Sequence, residues 1–438
     1  MRADVVILGG GLSGLAAAIG LSARGRAVTI VDQAPRLGGR CYSYVDRVTG
    51  DVVDNGQHVL IGAYHQTLRY LDEIGTRGFL RSSPGLRLMM HHPAKGFCRF
   101  EVRPLPRPFH LTAAMLRYSA LSLKDRTSLL RVGFDLQRRS ADRDTMLGRL
   151  TIDQWLTRLN QSAEAKRSLW HPIAISVMNE LPEHASALLF ARSLRAAFLG
   201  TKSDSAILIP TIGQTELYVT PAQDLLSQRG AKILLNADVQ QMKAKQGRID
   251  RIVLRNGKVI VPSLVVSALP AYALERILPP VYAKLSYAPI VSIHLWFDRH
   301  FMKEPVVGSI GTMLQWIFNR RLLLDGAGDS PSFISAVISG AYDAVKLSKG
   351  ELVKISREEL STLFPESRNA KLLHAVVIKE KRATFSPTND NNERRPGTKT
   401  SFENLALAGD WTDTGLPATI EGAVMSGYAA ASLLAEQS

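Results

Sequence analysis

The 438-residue sequence predicts an α/β fold: a mainly parallel sheet wrapped by helices, assembled from separate stretches of the chain, with an α+β part inserted between them. Three observations predict it. Residues 1–32 run strand, glycine-rich turn, helix, strand; residues 405–438 run strand, turn, helix; and residues 231–270 alternate apolar and polar positions in short strands. The composition, 45% hydrophobic and 21% charged, is that of a globular protein, and the length implies two or more domains or one elaborated one. Such a core needs no disulfide support. The two cysteines, Cys41 and Cys98, form no CxxC pair, and no Cys/His cluster shows metal-ligand spacing. A reduced cytoplasmic protein with no metal is therefore expected.

The first element is "VVILGGGLSGLAAAIGLSARGRAVTIVD". Residues 5–8 are a short apolar run, as in a strand buried on both faces. Gly9, Gly11 and Gly14 fall at GxGxxG spacing: the first permits the turn, the second lets a pyrophosphate approach the backbone, and the third lets helix and strand pack closely. Leu12 and Ser13 open the helix, whose free N–H groups and partial positive charge face the phosphates. Gly25 is a plausible helix stop, and residues 28–31 form the second strand. Asp32 ends that strand, placed to accept hydrogen bonds from a ribose hydroxyl. This is a Rossmann-type dinucleotide unit, and by itself it does not separate NAD from FAD. The uncharged run over residues 5–23 approaches membrane-spanning length. It holds five glycines and two serines, switches from strand to helix pattern and has no A-x-A site, which argues against an export signal or a span.

The next segment, "QAPRLGGRCYS", resembles the second signature of FAD enzymes in the flavin amine oxidase and carotenoid desaturase superfamily. The resemblance implies that Gly38, Gly39 and Arg40 lie against the FAD pyrophosphate. Ser43 takes the usual place of threonine and Asp32 that of glutamate, each keeping the hydrogen-bonding chemistry. In the middle, Asn256-Gly257 reads as a hairpin turn within what resembles the superfamily's three-stranded meander, where a backbone group near Val239 meets the adenine. At the other end, Gly409-Asp410 after an apolar strand, then a helix opening near Thr419 and Ile420, resembles the closing FAD motif. There the aspartate binds the ribityl or phosphate region, and the helix N-terminus faces the flavin N1–C2=O edge. The implied FAD-binding domain is discontinuous: 1–80, 205–275 and 400–438. Residues 81–204 and 276–399 would form the substrate domain.

Within that domain, residues 104–140 are greasy and basic, with eight basic and two acidic residues from Arg103 to Arg139. Leu111, Ala114, Met115 and Tyr118 share a helical face, and Ser122 with Asp125 has the pattern of a helix cap. Either the pair packs on the core with a solvated basic face, or it also rests peripherally on anionic membrane and admits an apolar substrate. The formal charge of +15 favours anionic partners, but no arginine-rich tail, zinc finger or aromatic-interleaved basic run points to nucleic acid. Residues 169–200 read as an apolar interior helix or tunnel wall, and 386–404 as the clearest loop or linker.

Three stretches, "DNGQHVLIGAYHQTLRYLDEIG", "LWHPIAISVMNELPEHASALLFARSLRAAFLG" and "LALAGDWTDTGLPATIEGAVMSG", together resemble the squalene-associated FAD-dependent desaturase family, whose characterised members are hydroxysqualene dehydroxylases of bacterial squalene and hopanoid biosynthesis. The resemblance implies reductive removal of the hydroxyl of hydroxysqualene to give squalene, with hydride passing from flavin N5 to an allylic carbon. It places Gly56 where the backbone approaches the flavin ring. Gln57 and His58 would then be the catalytic candidates, His58 to protonate or hydrogen-bond the leaving hydroxyl. The bland alternative for His58 is a structural histidine. A phytoene-type desaturase, a flavin amine oxidase and a non-catalytic terpenoid-binding flavoprotein stay open as rival readings, although Thr419 stands where amine oxidases usually carry an aromatic residue. No second nucleotide fold is evident, so NAD(P)H or a reductase would have to serve the same flavin.

Overall fold

The computed structural model describes residues 1–83, 87–102, 109–138, 145–278, 284–325 and 331–436. Its first sheet is built around the strand Arg2–Leu8, whose last four residues are fully buried. That strand pairs in parallel with Val28–Val31 on one side and Val259–Ser267 on the other. Lys232–Leu234 and Leu405–Leu407 extend the parallel part at its two margins. Val259–Ser267 is shared: its first residues pair antiparallel with Arg248–Leu254, which pairs in turn with Val239–Lys245, giving the expected meander. Gly257 sits in the hairpin at φ +81°, as the Asn-Gly pair predicts.

The register decides where a site can form. Leu8 stands opposite both Val31 and Ser267, so three parallel strands end at one level and their following loops gather there. The helices Leu12–Ser22 and Ile420–Ala435 cover this end side by side. Their approach is close because glycines stand in the contact: a Cβ on Gly427 would lie 2.2 Å from the Ser13 carbonyl oxygen.

A second seven-stranded sheet runs in the order Leu372–Phe385, Tyr287–Phe297, Ser332–Ser339, Trp316–Asn319, Val306–Ser309, Arg87–His92, Gly96–Glu101, antiparallel except between Val306–Ser309 and Arg87–His92. Beside it stands a helical block with its own core, including Trp155, Phe190, Leu129 and Val132.

Two expectations change here. Residues 169–200 are not one helix: His171–Met178 stops at Asn179, in the left-handed conformation at φ +50°, and Ala187–Leu199 starts anew. Asn179 is bound on both ends of its amide, by Gly340 N–H and by Thr384 Oγ1, so tertiary hydrogen bonds fix the break. Residues 386–404 are not a free linker. They carry the helix Asn389–Arg394, capped by Thr388, and bury Asn391, Arg395 and Asn404. The polar composition reads as loop, but these side chains face backbone groups, not water.

The helix pair Phe109–Arg117 and Leu123–Arg138 forms as expected, with Ser122 Oγ accepting from Asp125 N–H at 3.2 Å and Ala114 and Tyr118 buried. The ends of the expected stretch, 104–108 and 139–140, lie outside the described residues. Among the described residues, no helix is long and apolar enough to cross a membrane.

Candidate active site

The loop 9–11 and the loop 38–40 meet over the level strand ends. Gly38 N–H donates to the Gly10 carbonyl at 2.8 Å, and a Cβ on Gly39 would lie 3.3 Å from Gly11 Cα. Gly38 holds φ +101° and also abuts the Cys41 carbonyl, so this turn requires glycine. Gly14 shows the predicted close packing, since a Cβ there would stand 1.9 Å from the Gly9 carbonyl oxygen. Nothing lies within 4 Å of a Cβ position on Gly11, the N-cap of a helix without a side-chain cap. That is a cradle of free N–H groups with room for an anion.

Other predicted residues surround this cradle. Asp32 accepts from Gly10 N–H at 2.6 Å and Ala34 N–H at 2.8 Å, and Ala237 N–H donates to the Asp32 carbonyl, which brings the approach to Val239 alongside. Arg40 pairs with Asp410 at 2.7 Å and donates to the Ala383 carbonyl; the aspartate raises the guanidinium pKa further. Gly409, before that aspartate, donates to Ser426 Oγ on the closing helix. Thr419 Oγ1 caps that helix, accepting from Gly422 N–H at 3.0 Å, with Ile420 its first residue.

The segment 51–58 runs from this cradle to the second sheet. Asn55 Nδ2 donates to the Arg40 carbonyl, and Asp54 accepts from Ser43 Oγ at 2.7 Å and Gln214 N–H at 3.1 Å. Its other oxygen holds Arg320 at 2.7 Å in an ion pair buried on both sides. Arg320 also donates to Gln57 Oε1, and Gln214 to the Gly56 carbonyl. Next to it, Arg321 clasps Asp51 with two donors, at 2.6 and 2.7 Å. A Cβ on Gly56 would approach Ser292 Oγ at 3.3 Å. His58 Nδ1, Gln214 Oε1, Ser292 Oγ, His294 Nε2 and Arg320 Nε are buried here without a well-aligned hydrogen bond from the chain, with His58 lying beside the Gly56 backbone and the Gln214 amide and His294 beside the Asp54 backbone. Orphaned buried polar atoms gathered in one place fit a ligand with polar edges, such as an isoalloxazine ring. Burial holds the His58 pKa below its usual value, with the Asp54 charge pulling the other way. For His294, burial and then the Arg320 charge push the pKa down to about 4.

Sequence reasoning missed Arg320, Gln214 and His294. Arg320 lies 266 positions from Asp54, and its only local signal is a pair of arginines set in an otherwise apolar run, where buried charge implies a partner. It also missed Arg395, whose guanidinium donates to the carbonyls of Asp410, Trp411, Thr412 and Leu416 and so braces the 410–416 loop. A three-ligand cluster away from this site, Asp153, His171 and Glu183, also went unread; Lys166 Nζ already neutralises Asp153 at 2.8 Å.

Level parallel strands, a glycine-lined anion cradle and a helix packed beside it are the features of a dinucleotide-binding fold, and the chain belongs to the family of flavin-containing amine oxidoreductases, which it matches over residues 12–435. It is an FAD-dependent oxidoreductase. Within that family it is similar to two proteins described as hydroxysqualene dehydroxylases. The one from Zymomonas mobilis is 29% identical over 98% of both chains, and the one from Rhodopseudomonas palustris 30% identical over 99% of both. In fold it is similar to a putative protoporphyrinogen oxidase from Exiguobacterium, with a TM-score of 0.74 over 100% of this chain and 99% of that one at 15% identity.

Proposed function

We propose that this protein removes the hydroxyl of hydroxysqualene reductively to give squalene. The observation that carries the reading is a junction: the polar cluster at Gly56, Gln57 and His58 continues directly into Val59, which packs with Ile209, Ile290 and Trp316 around Phe318 and Val337. An allylic alcohol needs that combination, a proton source for the leaving oxygen and an apolar wall that keeps water from an electron-poor carbon. The names of the full-length relatives support the same substrate. When bound and reduced, FAD supplies the hydride. Asp54 and Arg320 hold Gln57 in place, and His58 carries a ring nitrogen for the departing hydroxyl. As the C–O bond breaks and a C–H bond forms, the hydroxyl takes up a proton from the imidazolium of His58 and leaves as water.

Delivery of so apolar a substrate draws on the helix Leu123–Arg138. At 100° per residue, its outward arc carries Leu123 and Phe134, 74% and 62% exposed, followed by Arg138, Arg131 and Lys124. Its two acids turn away, Asp125 to Ser162 and Asp135 to the Trp155 indole. Such a face suits shallow contact with an anionic bilayer, where each basic residue contributes about 1 kcal/mol. Co-sedimentation with phosphatidylglycerol vesicles but not phosphatidylcholine vesicles, weakened by F134E, is the expected result.

The reaction is tested anaerobically. Reduced holoprotein given hydroxysqualene should reoxidise stoichiometrically as squalene forms; absence of reoxidation would sink the assignment. Phytoene, offered separately to the oxidised protein, should leave the flavin oxidised. The electron donor is addressed by asking whether NAD(P)H alone reduces the flavin or a reductase must be added.

A further inference from the structure

The segment 51–58 is held to the second sheet by two consecutive arginines, but the two pairs differ. Asp51, paired with Arg321, stands further from Gly56 along the chain and accepts from the Trp296 indole N–H at 2.7 Å. Asp54 and Arg320 are the inner pair, with side chains only 4% and 1% exposed. The carboxylate is fully engaged, by Ser43, Gln214 and Arg320, while Arg320 keeps one orphaned Nε–H. The other titratable rings at this point, His58 and His294, are both pushed by burial toward their neutral forms. While both rings are neutral, the fixed charges bonded to residues 54–57 are one buried positive and one buried negative, Arg320 and Asp54, which balance; a proton taken up by His58 in turnover adds to that setting. In a poorly solvated site, removing either partner exposes whatever binds there to the full field of the other.

We propose that the Asp54–Arg320 pair is a charge-balanced setting for the flavin: Arg320 favours the negative charge of reduced flavin and Asp54 limits that preference. The proposal deepens the site described above and rests on the reading that residues 54–58 face the flavin ring. Arg320 has a second, geometric task. By donating to Gln57 Oε1 it turns the amide N–H2 of Gln57 away from itself, so it is a positioning residue for Gln57.

The two tasks separate by variant. The flavin midpoint potential of purified holoprotein is measured by anaerobic dye-linked titration, without substrate, in wild type, D54N, R320M and R320K. D54N leaves the guanidinium uncompensated and should raise the potential; R320M should lower it. The expected size is at least tenfold in the reduced-to-oxidised ratio, about 30 mV for a two-electron couple. R320K keeps the charge and should hold the wild-type potential, while kcat falls because Gln57 loses its partner. D54N and R320M moving in the same direction, or both staying within that margin, would overturn the proposal. Should R320M not retain flavin, D54N and R320K decide alone, since an unmoved D54N is then the negative result. The potential measurement uses no hydroxysqualene, so it fails or succeeds independently of the dehydroxylase reading; only the kcat comparison for R320K depends on that reading.

Discussion

Gly14 carries a hydrogen where a methyl group would stand 1.9 Å from the Gly9 carbonyl oxygen. Neither the strand–helix junction nor the backbone can retreat cheaply, so G14A should cost about 3 kcal/mol or more and lower FAD content. Urea unfolding and flavin stoichiometry measure both. His58 is the other residue on which much turns. With His58 as the acid, H58Q should retain FAD and lose on the order of 100-fold in turnover; a near-normal rate would return the ring to a structural role. The sign of its pH dependence follows from its surroundings. Burial depresses its pKa, so the protonated form is already being lost below the ordinary imidazole value. The rate should therefore fall as pH rises toward 6.5 and beyond, and the H58Q variant should lack that limb. Gly14 was legible from spacing alone. The orphaned Nδ1 of His58 was not, because orphaning is a property of neighbours from other segments.

At the scale of elements, residues distant in sequence finish one another's ends. Glu421, in the first turn of the closing helix, accepts from Gln66 N–H, Thr67 N–H and Thr67 Oγ1, and so caps the helix His65–Glu73. Arg395 does the same for a loop, with burial lowering its pKa to about 10 and leaving it protonated at neutral pH. R395M would strand several buried carbonyls, at about 3 kcal/mol in total. The 410–416 loop should loosen, releasing FAD at lower denaturant concentration than wild type, as flavin fluorescence would report. The elements themselves were largely readable. The strands at 2–8, 28–31 and 405–407 and the helix after Thr419 follow from apolar runs and glycine turns. The order in the 386–404 stretch was not, because Asn391, Arg395 and Asn404 look like loop residues until their backbone partners are known.

For the whole molecule, a titratable group buried in the second sheet bears on the pH range of stability. His294 sits midway along Tyr287–Phe297, the second strand of the second sheet, Nδ1 at 2.8 Å from Ser335 Oγ, and burial pushes its pKa down to about 4 from the 6.5 of a free imidazole. The unfolded chain takes up that proton first as pH falls. The His294 contribution is thus fully present above 6.5 and is lost progressively down to about 4, amounting to about 3 kcal/mol. Unfolding free energy should drop across that window, and H294N should flatten the drop by a corresponding amount.

The sequence by itself determined the parallel nucleotide fold, the FAD signatures at both ends and the meander between them, because glycine spacing and short apolar runs act through neighbouring residues. Only the tertiary structure decided which charges meet. Arg40 finds Asp410 across 370 positions and Arg320 finds Asp54 across 266. No local periodicity encodes those pairings; they follow from how the strands order into sheets and how distant segments close on each other, with burial forcing a partner on Asp54 and Arg320, whereas the Arg40 side chain stays 43% exposed.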